Sequence, residues 1–278
     1  MKQMSTVEQL QQHAVNIRRK IVETANIKKQ GHVGGSLSAT DILTVLYFDQ
    51  LNLVDKENRD RFVLSKGHVA LGLYCTLVER GLLETEELKT FDSFGSRLQA
   101  HPDMTKLDCL DMSTGSLGQG ISTAVGMALG AKYLNKSFHV FTLIGDGESQ
   151  EGQVWEAAAT AARYQLNNLT VIIDCNQLQQ FGWRKDGEAL PPDTSLAGKF
   201  ASFGFNVVEV DGHDIALLQR VLYETKANTT TKPTAIIAKT IKGKGVTFME
   251  NNYLWHSKAP NDKELEQALA QLVIGGDA

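Results

Sequence analysis

The stretch Ser137-Phe138-His139-Val140-Phe141-Thr142-Leu143-Ile144-Gly145-Asp146-Gly147 decides the fold. Its first eight residues are mostly apolar and rich in β-formers, which predicts a buried strand of a parallel sheet. Gly145-Asp146-Gly147 falls at the carboxyl end of that strand. Glu148 to Gly152 then leads into 154–164, an alanine-rich run that predicts a helix. A second strand is expected over 169–174, ending at Cys175-Asn176. Together they form a βαβ unit, and ligands of open α/β sheets bind at the carboxyl ends of the strands.

The residues at those two strand ends suit a metal-bound diphosphate. A glycine lets backbone approach a phosphate closely, and the following helix offers N-terminal N–H groups to an anion. Asp146 supplies a hard carboxylate oxygen and Asn176 a neutral amide oxygen. A Mg²⁺ that keeps diphosphate oxygens among its ligands needs few more from the protein. The plainer reading has Asp146 capping the helix and Asn176 closing a turn. An asparagine at the end of the next strand favours the ligand.

Working outward, residues 6–28 predict an amphipathic helix and 31–36, with three glycines, a loop with unusual φ values or a close backbone approach. A second helix, apolar on most sides, is expected over 40–51. A short strand follows at 61–65, then helices at 69–80 and 84–89, with Gly81 closing the first. Residues 91–116 form a long irregular stretch, the kind that carries function in a compact domain. Residues 120–133 predict a helix of small residues. Beyond the βαβ unit come an irregular stretch at 177–195, a helix at 195–203, a strand at 205–210, a helix at 215–226, a strand at 234–240 and an amphipathic tail at 262–273. This order predicts an α/β fold with a doubly wound parallel sheet flanked by helices, one domain over 1–278.

Composition narrows the function. Of 278 residues, 42% are hydrophobic and 22% charged, ordinary for a globular enzyme. A formal charge of -4 leaves no basic face for nucleic acid. Cys75, Cys109 and Cys175 form no Cys-x-x-Cys pair, so neither a zinc site nor a disulfide framework is expected. An odd cysteine count without a secretory signal fits the cytoplasm. No apolar run approaches the length of a membrane span.

Seven histidines remain. His13 and His139 fall inside a predicted helix and strand and are read as structural. His32, His68, His101 and His256 are placed in loops, where several imidazoles could converge on one polar substrate. His213 is read as fixing a turn, with Asp214 as the N-cap of the next helix.

Gly145-Asp146-Gly147 followed by Asn176 resembles the thiamine diphosphate motif. Gly31-His32-Val33-Gly34-Gly35, Leu64-Ser65-Lys66-Gly67-His68, His101-Pro102, Thr114 to Gly120 and Gly147-Glu148 to Gly152 resemble transketolase in order and spacing. Asp211 to Asp214 and His256 before Ala259-Pro260 agree, so the resemblance spans essentially the whole chain. Val33 stands where many members have proline, and Lys258 interrupts what is often His-Gly-Ala-Pro.

The resemblance implies that Asp146, Asn176 and the Leu178 carbonyl hold Mg²⁺ or Ca²⁺, and that Gly147 meets the diphosphate of thiamine diphosphate through its N–H. Gly115 and Leu117 would line the aminopyrimidine. His68 and His256 would touch cofactor and substrate, His32 and His101 the donor and acceptor hydroxyls. Glu151 would lie at a subunit interface. Full-length members run more than twice as far, so the resemblance implies the N-terminal subunit of a split transketolase. Its partner would be a C-terminal subunit in an α2β2 assembly, acting on sugar phosphates. The reaction implied is transfer of a two-carbon ketol unit from a ketose to an aldose. Two rivals are the α subunit of a 2-oxoacid dehydrogenase, which the His32, His68 and His101 motifs disfavour, and a non-catalytic regulatory partner, which intact Asp146 and Asn176 disfavour.

Overall fold

Five strands pair in parallel in the order β1-β2-β3-β5-β4. They span Arg61–Leu64, Val140–Gly145, Leu169–Cys175, Asn206–Asp211 and Thr234–Lys239, numbered β1 to β5. The computed structural model describes residues 5–54, 57–180 and 195–273. Trp183, Pro191, Pro192 and the C-terminal Gly-Gly-Asp-Ala therefore lie outside the described residues.

Alternation along the central strands builds two cores. Phe141, Leu143, Ile172, Ile236 and Ala238 face one side, where they pack with residues of Val7–Lys28 (α1), Val33–Val45 (α2), Ala70–Glu79 (α3) and Ile215–Lys226 (α7). Val140, Ile144, Val171, Ile173, Ala235 and Ile237 face the other, against Gln119–Tyr133 (α4), Gly152–Arg163 (α5) and Leu196–Ser202 (α6). Successive side chains of a strand point to opposite faces, so a strand covered on both sides must be apolar throughout. The expected doubly wound parallel sheet is present. A last helix, Asp262–Gln271 (α8), packs on α1.

Local chemistry sets the helix ends. At α1, the Thr6 hydroxyl accepts from Gln9 N–H while the Gln9 side chain accepts from Thr6 N–H, satisfying two orphan donors. The expected N-cap role of Asp214 is borne out: its carboxylate accepts from Leu217 N–H at 2.9 Å.

Two expectations need correction. Of the loop read over 31–36, Gly31, with φ +134, and His32 do lie outside a helix, but α2 starts at Val33, ahead of the helix start expected at 40. Gly31 has the unusual φ expected of this stretch, while Gly34 and Gly35 provide the close backbone approach that was the other expectation. A Cβ on Gly34 would sit 2.9 Å from the Trp255 carbonyl oxygen, and one on Gly35 3.2 Å from Val69. The strand read from Ser137 starts at Val140, and His139 precedes it. His139 is nonetheless buried, its Nε2 2.8 Å from the Thr170 hydroxyl and its N–H donating to Asp60 at 2.9 Å.

Candidate active site

All strands of a parallel sheet release their chains at the same edge. Here β1 leads into Lys66 and His68, β2 into Asp146, β3 into Asn176 and Leu178, β4 into His213, and β5 into Lys242. A cleft of about 500 Å³ opens at that edge. It is lined by His32, His68, His256, Gly115, Leu117, Asp146, Gly147, Glu151, Asn176 and Leu178, together with Lys66 and Lys242. Of the residues singled out in the sequence, His101 alone is not part of that lining; it stands beside it, its ring centroid 6.5 Å from that of His32.

Asp146 and Asn176 sit just past the ends of neighbouring strands and are both buried. Gly147 N–H donates to Asp146 Oδ1 at 2.8 Å, and Gln177 N–H to Oδ2 at 2.5 Å. The Asn176 side-chain oxygen accepts from Leu178 N–H at 3.1 Å, and its amide nitrogen lies 3.4 Å from Ser38 Oγ. Burial, and then the nearby Asp174 carboxylate, push the Asp146 carboxyl above its ordinary value, against the pull of Lys66 and the two N–H groups. A buried carboxylate raised in this way gains from a cation. One carboxylate, one amide oxygen and one carbonyl are hard oxygen donors that suit Mg²⁺ or Ca²⁺ better than a softer metal. Lys242 Nζ rests on the Leu178 carbonyl at 2.8 Å, so that oxygen already receives a positive charge.

The two lysines went unread in the sequence as site residues. Each lies just past a strand and just before a glycine, Lys66-Gly67 after β1 and Lys242-Gly243 after β5, and that shared pattern was the available signal. Lys66 Nζ lies 2.6 Å from Asp174 Oδ2, which also accepts from Ser38 Oγ at 2.6 Å; Thr240 binds the other oxygen. Burial works to raise the Asp174 carboxyl, but Lys66, with the Ser38 and Thr240 hydroxyls, more than offsets it and holds the group below its ordinary value. Among the described residues, Lys242 has no carboxylate within ion-pair reach. It contacts Leu178 O and, at 3.0 Å, His256 Nδ1. Burial and then the charge of Lys66 lower its pKa to about 8.

The structure brings the four histidines read as loop residues together, although His68 and His256 lie in short 3-10 helices, Gly67–Val69 and Tyr253–His256. Ring centroids lie 5.3 Å apart for His32 and His68, 5.2 Å for His32 and His256, and 5.2 Å for His68 and His256. His32 occupies the N-cap position of α2 but makes no capping bond, which leaves its ring to the cluster. Burial, then the His101, Lys242 and Lys66 charges, lower the His32 pKa to about 4. Burial, then Lys242, take His256 to about 3, and burial with Lys66 pulls His68 well below its ordinary value. These three rings are neutral at pH 7, so each can donate from one nitrogen and accept at the other. His13 and His139 stand apart, as the sequence implied: His13, on α1, pairs with Glu79 of α3 at 3.0 Å.

A buried carboxylate fixes the wall opposite. Glu148 accepts from Ser65 Oγ at 2.5 Å, Gly118 N–H at 2.9 Å and Gly145 N–H at 3.1 Å. It thereby ties the ends of β1 and β2 to the segment carrying Gly115 and Leu117. Gly118 has φ +80, and a Cβ there would lie 2.7 Å from the Glu151 Cβ, so only glycine fits. Glu151 itself is exposed at the start of α5.

Residues 10–276 match the family model described as transketolase, thiamine diphosphate binding domain. The chain is 42% identical over 270 residues to one subunit of the apulose-4-phosphate transketolase of Actinobacillus succinogenes, covering 95% of this chain and 96% of that one. It is 39% identical over 267 residues to a 6-deoxy-6-sulfo-D-fructose transketolase subunit from a Clostridium species, covering 94% and 95%. A transketolase crystal structure from Campylobacter jejuni superposes with a TM-score of 0.87 at 30% identity, over 96% of this chain and 43% of that one. On the sequence match, the shared sheet and the cleft at its carboxyl edge, the chain belongs to the transketolase family, as its thiamine diphosphate-binding domain.

Proposed function

We propose that this chain is the N-terminal subunit of a two-chain transketolase that moves a two-carbon ketol unit from a ketose phosphate to an aldose phosphate. The observation that carries this reading is the convergence of His32, His68 and His256 on the cleft that also holds Asp146 and Asn176. Similarity over nearly full length to proteins that are themselves transketolase subunits supports it. The His32, His68 and His101 motifs disfavour the rival reading as a 2-oxoacid dehydrogenase subunit.

In this reading Asp146, Asn176 and the Leu178 carbonyl hold Mg²⁺ or Ca²⁺, and Lys66 and Lys242 supply positive charge toward a diphosphate. Gly115 and Leu117 line the ring end of the cofactor. When bound, thiamine diphosphate supplies the carbon nucleophile and electron sink that break and remake a C–C bond. The chain's own residues do the rest. His68 and His256, between cofactor and substrate, orient the reacting carbonyl. His32 and His101 hydrogen-bond the sugar hydroxyls. Being neutral, His32 can accept a hydroxyl proton as the C–C bond breaks and return it when the acceptor aldehyde becomes an alkoxide. Residues 1–278 act as one domain, and a C-terminal subunit closes the other half of the cleft in an α2β2 assembly in the cytoplasm, with Glu151 at the junction.

The test is to purify the chain, saturate it with thiamine diphosphate and Mg²⁺, and follow ketol transfer between sugar phosphates with and without a co-expressed C-terminal subunit. Activity only with both chains is expected. Full turnover by this chain alone would overturn the two-chain reading, and absence of transfer from the pair would overturn the reaction.

A further inference from the structure

The turn Asp211-Gly212-His213-Asp214 follows β4 and does not need its imidazole. The turn is closed by backbone and carboxylate groups: His213 N–H donates to Asp211 at 2.9 Å, and Asp214 caps α7. The ring reaches elsewhere. Ile241 N–H donates to His213 Nε2 at 2.8 Å, so that nitrogen carries no proton. The proton is then on Nδ1, which donates to Asp41 Oδ2 at 2.7 Å. Asp41 is buried in α2 and gripped by both ends of the Arg18 guanidinium, at 2.9 and 2.6 Å. Arg18 comes from α1. Four segments are thus joined in series, and the last link is the backbone N–H next to Lys242.

We propose that His213 is a positioning residue for the Lys242 ammonium. Lys242 is 3% exposed, has no carboxylate among the described residues to hold it, and must place one charge between Leu178 O and His256. A long flexible side chain is placed only as well as its Cα. The backbone flanking that Cα has two polar anchors outside its own loop. Gly243 N–H donates to Gly34 O at 3.0 Å on one side, and Ile241 N–H donates to His213 on the other. Removing the imidazole frees one anchor and leaves the half-buried Ile241 N–H and one oxygen of Asp41 underused. The Arg18–Asp41 pair fixes which nitrogen of His213 is protonated, and so keeps the acceptor aimed at Ile241. The function assigned to Lys242 rests on the reading above; its placement by His213 does not.

The experiment therefore has one readout that needs no cofactor and one that does. In the cofactor-free chain, brief acetic anhydride treatment and mass spectrometry compare acetylation of Lys242 with that of buried Lys66. His213→Leu should raise Lys242 acetylation by about 10-fold while Lys66 stays protected, because local opening is confined to the freed segment. His213→Gln, whose amide can accept from Ile241 and donate to Asp41, should restore protection. No rise, or an equal rise at Lys66, would overturn the proposal. If His213→Leu does not fold, His213→Asn, too short to reach both partners, takes its place.

The second readout is thiamine diphosphate affinity in the presence of Mg²⁺. His213→Leu should weaken it by about 10-fold in the wild-type background and not further in Lys242→Met, since residues acting through one another are non-additive. Additive losses would overturn the proposal. A wild-type chain with no thiamine diphosphate affinity would count against the function of Lys242, while the acetylation ratio still decides the role of His213.

Discussion

Lys242 Nζ donates to the carbonyl oxygen of Leu178 across 2.8 Å, joining the exits of β5 and β3. That carbonyl is one of the three oxygens proposed for the divalent cation. In the proposed site a lysine charge and the cation would share one wall of the cleft, and both would face the space proposed for the diphosphate.

Lys242→Met should weaken binding of thiamine diphosphate by about 10- to 100-fold, the worth of one hydrogen bond to a charged group. The loss should shrink as salt rises, because the lost contact is ionic. Calorimetric titration with Mg²⁺ at two ionic strengths checks both parts.

Asp146→Ala should abolish Mg²⁺-dependent binding of the cofactor. The structure places this carboxylate inside the protein, with two backbone N–H groups on it, rather than at the surface. Losing those two bonds costs stability, while removing a buried charge that burial itself disfavours returns some. A melting temperature close to wild type without cofactor, and no shift on adding thiamine diphosphate and Mg²⁺, is the expected pair of results.

His32→Ala and His101→Ala should each leave cofactor affinity near normal and lower turnover of the two-chain enzyme by about 10²-fold, if their bonds to sugar hydroxyls strengthen in the transition state. Steady-state kinetics with near wild-type kcat would make these rings structural.

Acid should destabilise the fold through His139. Burial first lowers its pKa to about 4, and the Lys226 charge adds to this against the pull of Asp60. The unfolded chain takes up a proton near pH 6.5 and the folded chain does not until about 4. The unfolded state therefore binds more protons in that window, and stability falls as pH drops through it. The full effect is about 3 kcal/mol, from roughly 1.4 kcal/mol per pK unit. Denaturant unfolding of wild type and His139→Gln at pH 7.5 and 4.5 should show a smaller difference in the variant.

Much of the fold and the site was legible in the chain. The apolar runs ending in Gly145 and Cys175, with an alanine-rich helix between them, required a parallel sheet, because only a strand covered on both faces reads that way. Parallel strands release at one edge, so Asp146 and Asn176 had to be neighbours. The ordered histidine, glycine and aspartate motifs named the family, and the family match over residues 10–276 agrees. Where the reading failed, glycine was ambiguous. Gly34 and Gly35 allowed either unusual φ values or a close approach, and they let α2 approach Trp255 and Val69, a choice that depends on what lies opposite.

Tertiary structure alone decided what each charge does. Nothing local distinguishes Lys66, bound to Asp174, from Lys242, left without a carboxylate among the described residues, since both are lysine-glycine after a strand. Nothing local tells that His32, His68 and His256 lie within 5.3 Å of one another while His139 stands apart. Secondary structure and strand order follow from short-range patterns, because period and propensity act within a few residues. Protonation and pairing follow from burial and from neighbours more than a hundred positions away in the chain, such as Asp41 and His213, and only the folded protein brings those together.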